Sequence, residues 1–166
     1  MTTRTRTAAV LAPAAVLLLA GCGSHNDTEP PAGDDRMQQA AQAAADYQEA
    51  YLAEDWQAVC EARTERWRRG TVAECVERTE TYPDDEATET GPATTGEPLE
   101  VAAAGEHPAG LGVLVSYEVR HNSGNHTSHD ALRLVEEDGQ WRVDQSEDVE
   151  DGTGPDAVIA ALAEVD

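Results

Sequence analysis

Phenylalanine and lysine are both missing from this 166-residue chain, and Trp and Tyr supply the 4% that is aromatic. All eleven basic residues are therefore arginine, a bias that follows GC-rich codon usage and says nothing about function. Positive charge is scarce: against 33 Asp and Glu it leaves a net charge of −22. Such a surface repels phosphate backbones and anionic headgroups, which sets nucleic acid aside as a partner. No apolar run reaches the roughly 20 residues that a spanning helix needs. Also absent are a phosphate-binding Gly loop, a nucleophile elbow, a zinc-protease helix and an alternating acidic calcium loop. These absences shift weight from the motif-marked enzymes to a non-catalytic binding or scaffolding module, and they call for no cofactor.

What the chain does have begins at its amino end. Arg4 and Arg6 are the only charges before residue 22, and residues 8–20 are Ala, Val and Leu broken only by Pro13. That is the n-region and h-region of an export signal, too short to be a stable anchor. The run closes in Leu19-Ala20-Gly21-Cys22, which resembles the lipobox of bacterial lipoprotein signal peptides. The resemblance implies cleavage before Cys22, lipid on its thiol (palmitate among the acyl chains), and residence on the outer face of the cytoplasmic membrane. Loss of Arg4 and Arg6 leaves nine arginines against the same 33 acids, a net −24. Residues 22–35, rich in Gly, Ser, Asn, Asp and Pro, read as a flexible tether reaching about 20 Å.

The rest has room for one domain, expected over residues 36–150, followed by an acidic tail over 151–166. Asp35 is a candidate N-cap for a helix carrying Met37, Ala40, Ala44, Tyr47 and Tyr51 at spacings of three and four. After a break at Glu54-Asp55, a second helix is expected through Trp56, Val59, Cys60 and Trp67, closed by Gly70. Thr71 and Glu74 form a capping box for a third, bearing Cys75, which Pro83 stops. Residues 84–98 read as an acidic loop. Four strands are then expected at 99–104, 111–121, 130–136 and 140–145, the last two joined through Asp138-Gly139. Residues 121–129 read as a polar loop, and a short helix can follow Pro155. The acidic tracts, 80–100 and 144–151, read as solvated tails and loops.

Helices first and an antiparallel sheet after make an α+β protein, with the long helix packed on a curved four-stranded sheet. Three features carry a resemblance: the Tyr51-Leu52-Ala53-Glu54-Asp55-Trp56 step, the pair Cys60 and Cys75, and the hairpin from Leu132 through Asp138-Gly139 to Trp141-Arg142-Val143. With them the chain resembles the nuclear-transport-factor-2-like cone-fold domains of many actinobacterial lipoproteins. The resemblance implies a cavity between helix and sheet, used by some relatives as an isomerase pocket and by others as a ligand site or plain core. No catalytic residue carries over.

Tyr47, Tyr51, Tyr117 and Trp141 are the residues expected to line that interior. His121, His126, His129 and Asp130 would meet a divalent metal if their loop closed around it, although the same composition suits an exposed turn. Arg63, Arg66, Arg68 and Arg69 offer an anion site, or they pair with acidic neighbours such as Glu65 along the helix. With Cys22 lipidated, Cys60 and Cys75 remain in an oxidising compartment. A disulfide is the default there, against buried free thiols or a metal pair. The function expected is a membrane-held binding or scaffolding module for an unidentified surface protein or small ligand. A small cavity enzyme of the isomerase-like kind is the alternative.

Overall fold

A computed structural model describes residues 32–79, 89–121, 124–150 and 152–164; Cys22, the export segment and Pro83 lie outside the described residues. Helix α1 (Ala32–Leu52) starts three residues ahead of Asp35, so the last four residues assigned to the tether are helical. Asp34 and Asp35 fall in its first turn, where they complement the helix dipole. Ala40, Ala44 and Tyr47 form its buried stripe. Glu54 turns left-handed to end the helix, and Asp55 starts the next by accepting from Ala58 N at 3.1 Å.

The expected second helix is two: α2 (Trp56–Ala62) and α3 (Glu65–Arg68). Between them Arg63 makes a parallel bridge to Val143, and Thr64 N donates to Val143 O at 2.9 Å. The chain leaves the helix there because the sheet claims its backbone. Thr64 then caps α3, accepting from Trp67 N at 3.2 Å. The capping box holds as expected at α4 (Val72–Thr79), with Thr71 N donating to Glu74 Oε2 and Glu74 N to Thr71 Oγ1. The left-handed residue ending α3 is Arg69 rather than Gly70.

Three short strands, β1 (Glu89–Thr90), β2 (Thr94–Thr95) and β3 (Leu99–Val101), lie one after another along β4 (Gly110–His121). They form one edge interrupted near Pro92 and Pro98, which cannot donate to a ladder. The described sheet thus has six strands in four ranks, the last two being β5 (Gly124–Glu137) and β6 (Gln140–Asp148). The β5–β6 turn is as expected, with Asp138 and Gly139 at φ 53° and 74° as a two-residue hairpin requires. Three expectations fail. Residues 89–90 and 94–95, expected within an acidic loop, are strands because β4 runs long enough to pair with them. Residues 124–129 are strand, in register with residues 116–121, rather than loop. The tract from residue 144 is the end of β6, with Asp144 buried.

Alternation along the strands sends Val113, Val115, Leu132, Leu134 and Val143 to one face, where they pack with Ala44, Tyr47 and Val59 of the helices. Leu114 and Ala131 point to the other face, covered by α5 (Pro155–Ala163) through Val158 and Leu162. Gly112 lets α5 lie close: a Cβ there would stand 2.8 Å from Val101 and 2.9 Å from Val158. The result is an α+β fold of helices followed by an antiparallel sheet, compatible with a cone but backed by a further helix.

Cys60 of α2 and Cys75 of α4 stand at disulfide distance, Sγ to Sγ 2.02 Å and Cα to Cα 5.9 Å. Closing a loop of 15 residues is worth about 3 kcal/mol in the chain-entropy model. Reduction should therefore lower unfolding free energy by about that amount in urea titrations. Alkylation of unreduced, denatured protein followed by peptide mapping should leave both cysteines unlabelled, and a label on both would refute the bridge.

Candidate functional site

The helical repeat that buries Ala40 and Ala44 also brings Tyr47, Gln48 and Tyr51 to the open end of the same face. Opposite them, strand alternation places Tyr117 of β4 and Asp130 of β5 on the inner face, continuing the line of Val113 and Val115 and of Leu132 and Leu134. Asp148 pairs with Asp130 across the β5–β6 ladder. Arg63 and Trp67, from the α2–α3 break, close the near side. Together with Ser146 and Glu147, these residues line a recess of about 350 Å³. The valine and leucine core fills the rest of the interior.

The chemistry of the recess centres on Asp130, which is only 8% exposed. Burial, reinforced by the facing Asp148 carboxylate, pushes its pKa to about 7, against the lowering influence of Tyr117 and Gln48. Burial likewise raises the Tyr117 hydroxyl to about 12, with the negative charge of Asp130 adding to it. The Tyr47 hydroxyl is raised by its own burial, partly offset by Arg63, whose Nη2 donates to it at 3.2 Å. Arg63 also lies over the Trp67 ring, Cζ to centroid 4.3 Å. Gln48 is 2% exposed, and its side-chain amide is directed at Asp130, whose charged form it favours.

Three of the four aromatics expected in the interior are there. The fourth, Trp141, is at the other end of the inner face under Arg36, whose Cζ is 5.0 Å from its ring; Trp67 is the tryptophan at the recess. The metal grouping does not assemble. Strand geometry turns His129 away from Asp130, and its Nδ1 sits 2.7 Å from Ser116 Oγ. His126 is exposed on the strand, and the side chain of His121 lies outside the described residues. Among the described residues no three His, Cys, Asp or Glu side chains gather for a metal.

The arginine group divides as well. Arg66 pairs not along its helix but across to buried Asp144, Nη2 to Oδ2 2.7 Å. Thr64 Oγ1 donates to Asp144 Oδ1 at 2.8 Å, and His107 Nδ1 lies 2.9 Å from Oδ2. Burial pushes the Asp144 carboxyl up, but these three partners together hold it below the usual carboxylate range. Sequence reasoning does not assign Gln48, Trp67, Ser146, Glu147 or Asp148 to the recess, and it names Arg63 only as part of an anion site. Asp130 was noticed for the wrong chemistry; its signal was parity, an acid in phase with Leu132 and Leu134. The chain matches no family model, no curated protein and no solved structure.

The Asp130 shift fixes a pH dependence. The folded chain holds this proton up to about pH 7, whereas the unfolded chain releases it near its model value of 3.8. The folded state thus binds more protons between those limits, and the stabilisation present below pH 3.8 is lost as pH rises through 7. Asp130→Asn cannot titrate. Relative to wild type its unfolding free energy should gain about 4 kcal/mol between pH 4 and pH 8, read from denaturant curves. A difference independent of pH would show that Asp130 ionises normally.

Proposed function

We propose that this protein is an extracytoplasmic lipoprotein, held to the outer face of the cytoplasmic membrane by lipid on Cys22, whose α+β domain binds a small polar molecule in the Asp130 recess. The observation that carries the binding reading is the company Asp130 keeps. A buried carboxyl titrating near neutrality, in contact with Tyr117 and Gln48 and facing a second carboxylate across a recess of about 350 Å³, is the feature that points to a site. A bound molecule with a polar group between Tyr117, Gln48 and Asp130 would engage all three. The short tether keeps the recess near the bilayer.

One observation favours a second reading. A carboxyl with a pKa of about 7 next to the Tyr117 hydroxyl suits a general acid or base, as the isomerase-like relatives of the proposed cone-fold family would require. Binding stands first because the groups nearest Asp130, namely Asp148, Tyr117 and Gln48, answer one another within the fold. No described helix is long and apolar enough to cross a membrane, so anchorage in this proposal rests on the lipid.

Two measurements test the two halves. Growth with a labelled fatty acid should mark wild-type protein and send it into the detergent phase, while Cys22→Ser should take up no label; unlabelled wild type would end the lipoprotein reading. Separately, a library of small polar fragments should raise the melting temperature of the full chain. A fragment at tenfold its Kd contributes about 1.4 kcal/mol, or about 3 to 5 °C. Tyr117→Phe and Gln48→Ala should abolish such shifts, and hits indifferent to both changes would place binding elsewhere.

A further inference from the structure

The recess does not end at Trp67. Tyr51, Arg63 and Trp67 also line a second hollow of about 430 Å³, whose remaining walls are Arg69, Cys75, Arg78 and Thr79. The two hollows adjoin at those three side chains, the pair being acidic at the Asp130 and Asp148 end and basic at the other.

The basic end runs against the composition of the protein. With acids outnumbering arginines three to one, a guanidinium should find a carboxylate, and Arg36, Arg66 and Arg120 do. Buried Arg133 instead has four oxygen acceptors. Arg63 and Arg69 differ from these four: among the described residues neither has a carboxylate within ion-pair distance, a condition they share with Arg68 and with Arg142, whose side chain bonds Glu61 O and Gln140 Oε1. Arg63 spends Nε and Nη2 on one acceptor, Tyr47 Oη, and turns Nη1 toward Cys75 Sγ at 3.9 Å, a weak partner. The Arg69 side chain makes no hydrogen bond among the described residues; its backbone N donates to Glu65 O at 3.2 Å, and its left-handed conformation, φ 53° and ψ 45°, sets it on the rim. The disulfide fixes Cys75 in the wall and so holds α4 against this hollow.

We propose that Arg63 and Arg69, with Arg78, form an oxyanion subsite, so that the small molecule taken by these adjoining hollows carries a phosphate, sulfate or carboxylate group at one end. Guanidinium donors in a fork suit such groups, and Trp67 beneath Arg63 holds its plane in place. The wider acidic surface repels anions from a distance. Within a few ångströms of several guanidinia the local attraction wins, because solvent ions screen the remote charges beyond about 10 Å. That the other end of the molecule enters the Asp130 recess rests on the binding reading above; the subsite itself does not.

The experiment is calorimetric titration of the full chain in detergent at pH 7 with sodium phosphate, sulfate and acetate, using sodium chloride at matched ionic strength as reference. Saturable binding of at least one oxyanion beyond chloride is expected, and the tightest of the three identifies the group. Arg63→Gln should weaken it about tenfold. Arg69→Asn, at an exposed position whose left-handed backbone Asn tolerates, should weaken it several-fold while leaving the melting temperature unchanged. Asp130→Asn should leave it within about twofold, since a bare oxyanion does not reach that end. No binding beyond chloride, or affinity unaltered in Arg69→Asn, overturns the subsite. Oxyanion binding with these losses but no fragment acting through Tyr117 and Gln48 would leave the subsite standing and refute the Asp130 reading.

Discussion

A guanidinium without a carboxylate bonded to it is the constraint on which the rest of this structure hangs. Arg133 is 1% exposed, and its donors go to Gln145 Oε1, the carbonyls of Ala102 and Pro108, and the Leu162 carbonyl in the last turn of α5. A buried cation left bare would be untenable, so β6, the segment between β3 and β4, and the final helix must all arrive together to solvate it. The carbonyl from α5 sits at the negative end of the helix dipole, which strengthens that contact. The same Arg133 marks the bulge in the β5–β6 ladder, where pairing moves from Arg133 with Gln145 to Leu134 with Val143 and leaves Asp144 over.

That extra residue carries the constraint to the other side of the protein. Asp144, released from the ladder, gathers Thr64, Arg66 and His107. His107 comes from the segment whose Pro108 carbonyl Arg133 already holds, and Thr64 and Arg66 open α3. Trp67 and Arg63 are thereby positioned from behind. The two buried aspartates illustrate what donors decide: Asp144, with three of them, ionises more readily than usual, whereas Asp130, facing another carboxylate, keeps its proton to about pH 7. One is a strut and the other is chemically available.

Much of this arrangement is legible in the sequence, for local reasons. The capping box at Thr71, the Asp138-Gly139 turn and the α1 stripe each encode their geometry within a few residues, and the cysteine pair follows from compartment and count. The break at Arg63-Thr64 is not legible, because residues 56–68 are helical by every local measure and only the pairing with Val143, some 80 positions away, diverts them. The extension of β5 into residues 124–129 escaped for the converse reason. Asn, Ser, Gly and Thr read as loop, yet a long partner strand imposes register upon them. Trp141 does pack against the inner-face core, but strand parity chooses a face and not a place along it. Asp130 lay in plain view, and its neighbours became knowable only when β6 brought Asp148 opposite.

The walls of the two hollows are braced separately, and this bears on what they can do. Tyr47, Gln48 and Tyr51 ride on a 21-residue helix packed along the core, Tyr117 and Asp130 on the two longest strands, and Arg63 and Trp67 on a segment tied by the Asp144 cluster and flanked by the cystine. Each wall has its own support, and Arg63, donating to Tyr47 Oη, ties two of them together. A small domain with so large a net charge has little stability to spend on ordering a site when a ligand arrives. Fixing the walls beforehand removes that cost from binding, since affinity lost to ordering loops and rotamers is the main penalty for small sites. The Asp130 carboxyl at one end and the guanidinia of Arg63 and Arg69 at the other are then presented by a rigid frame. Groups on mobile loops would have to be ordered for each ligand, whereas side chains carried on packed elements meet it already in place.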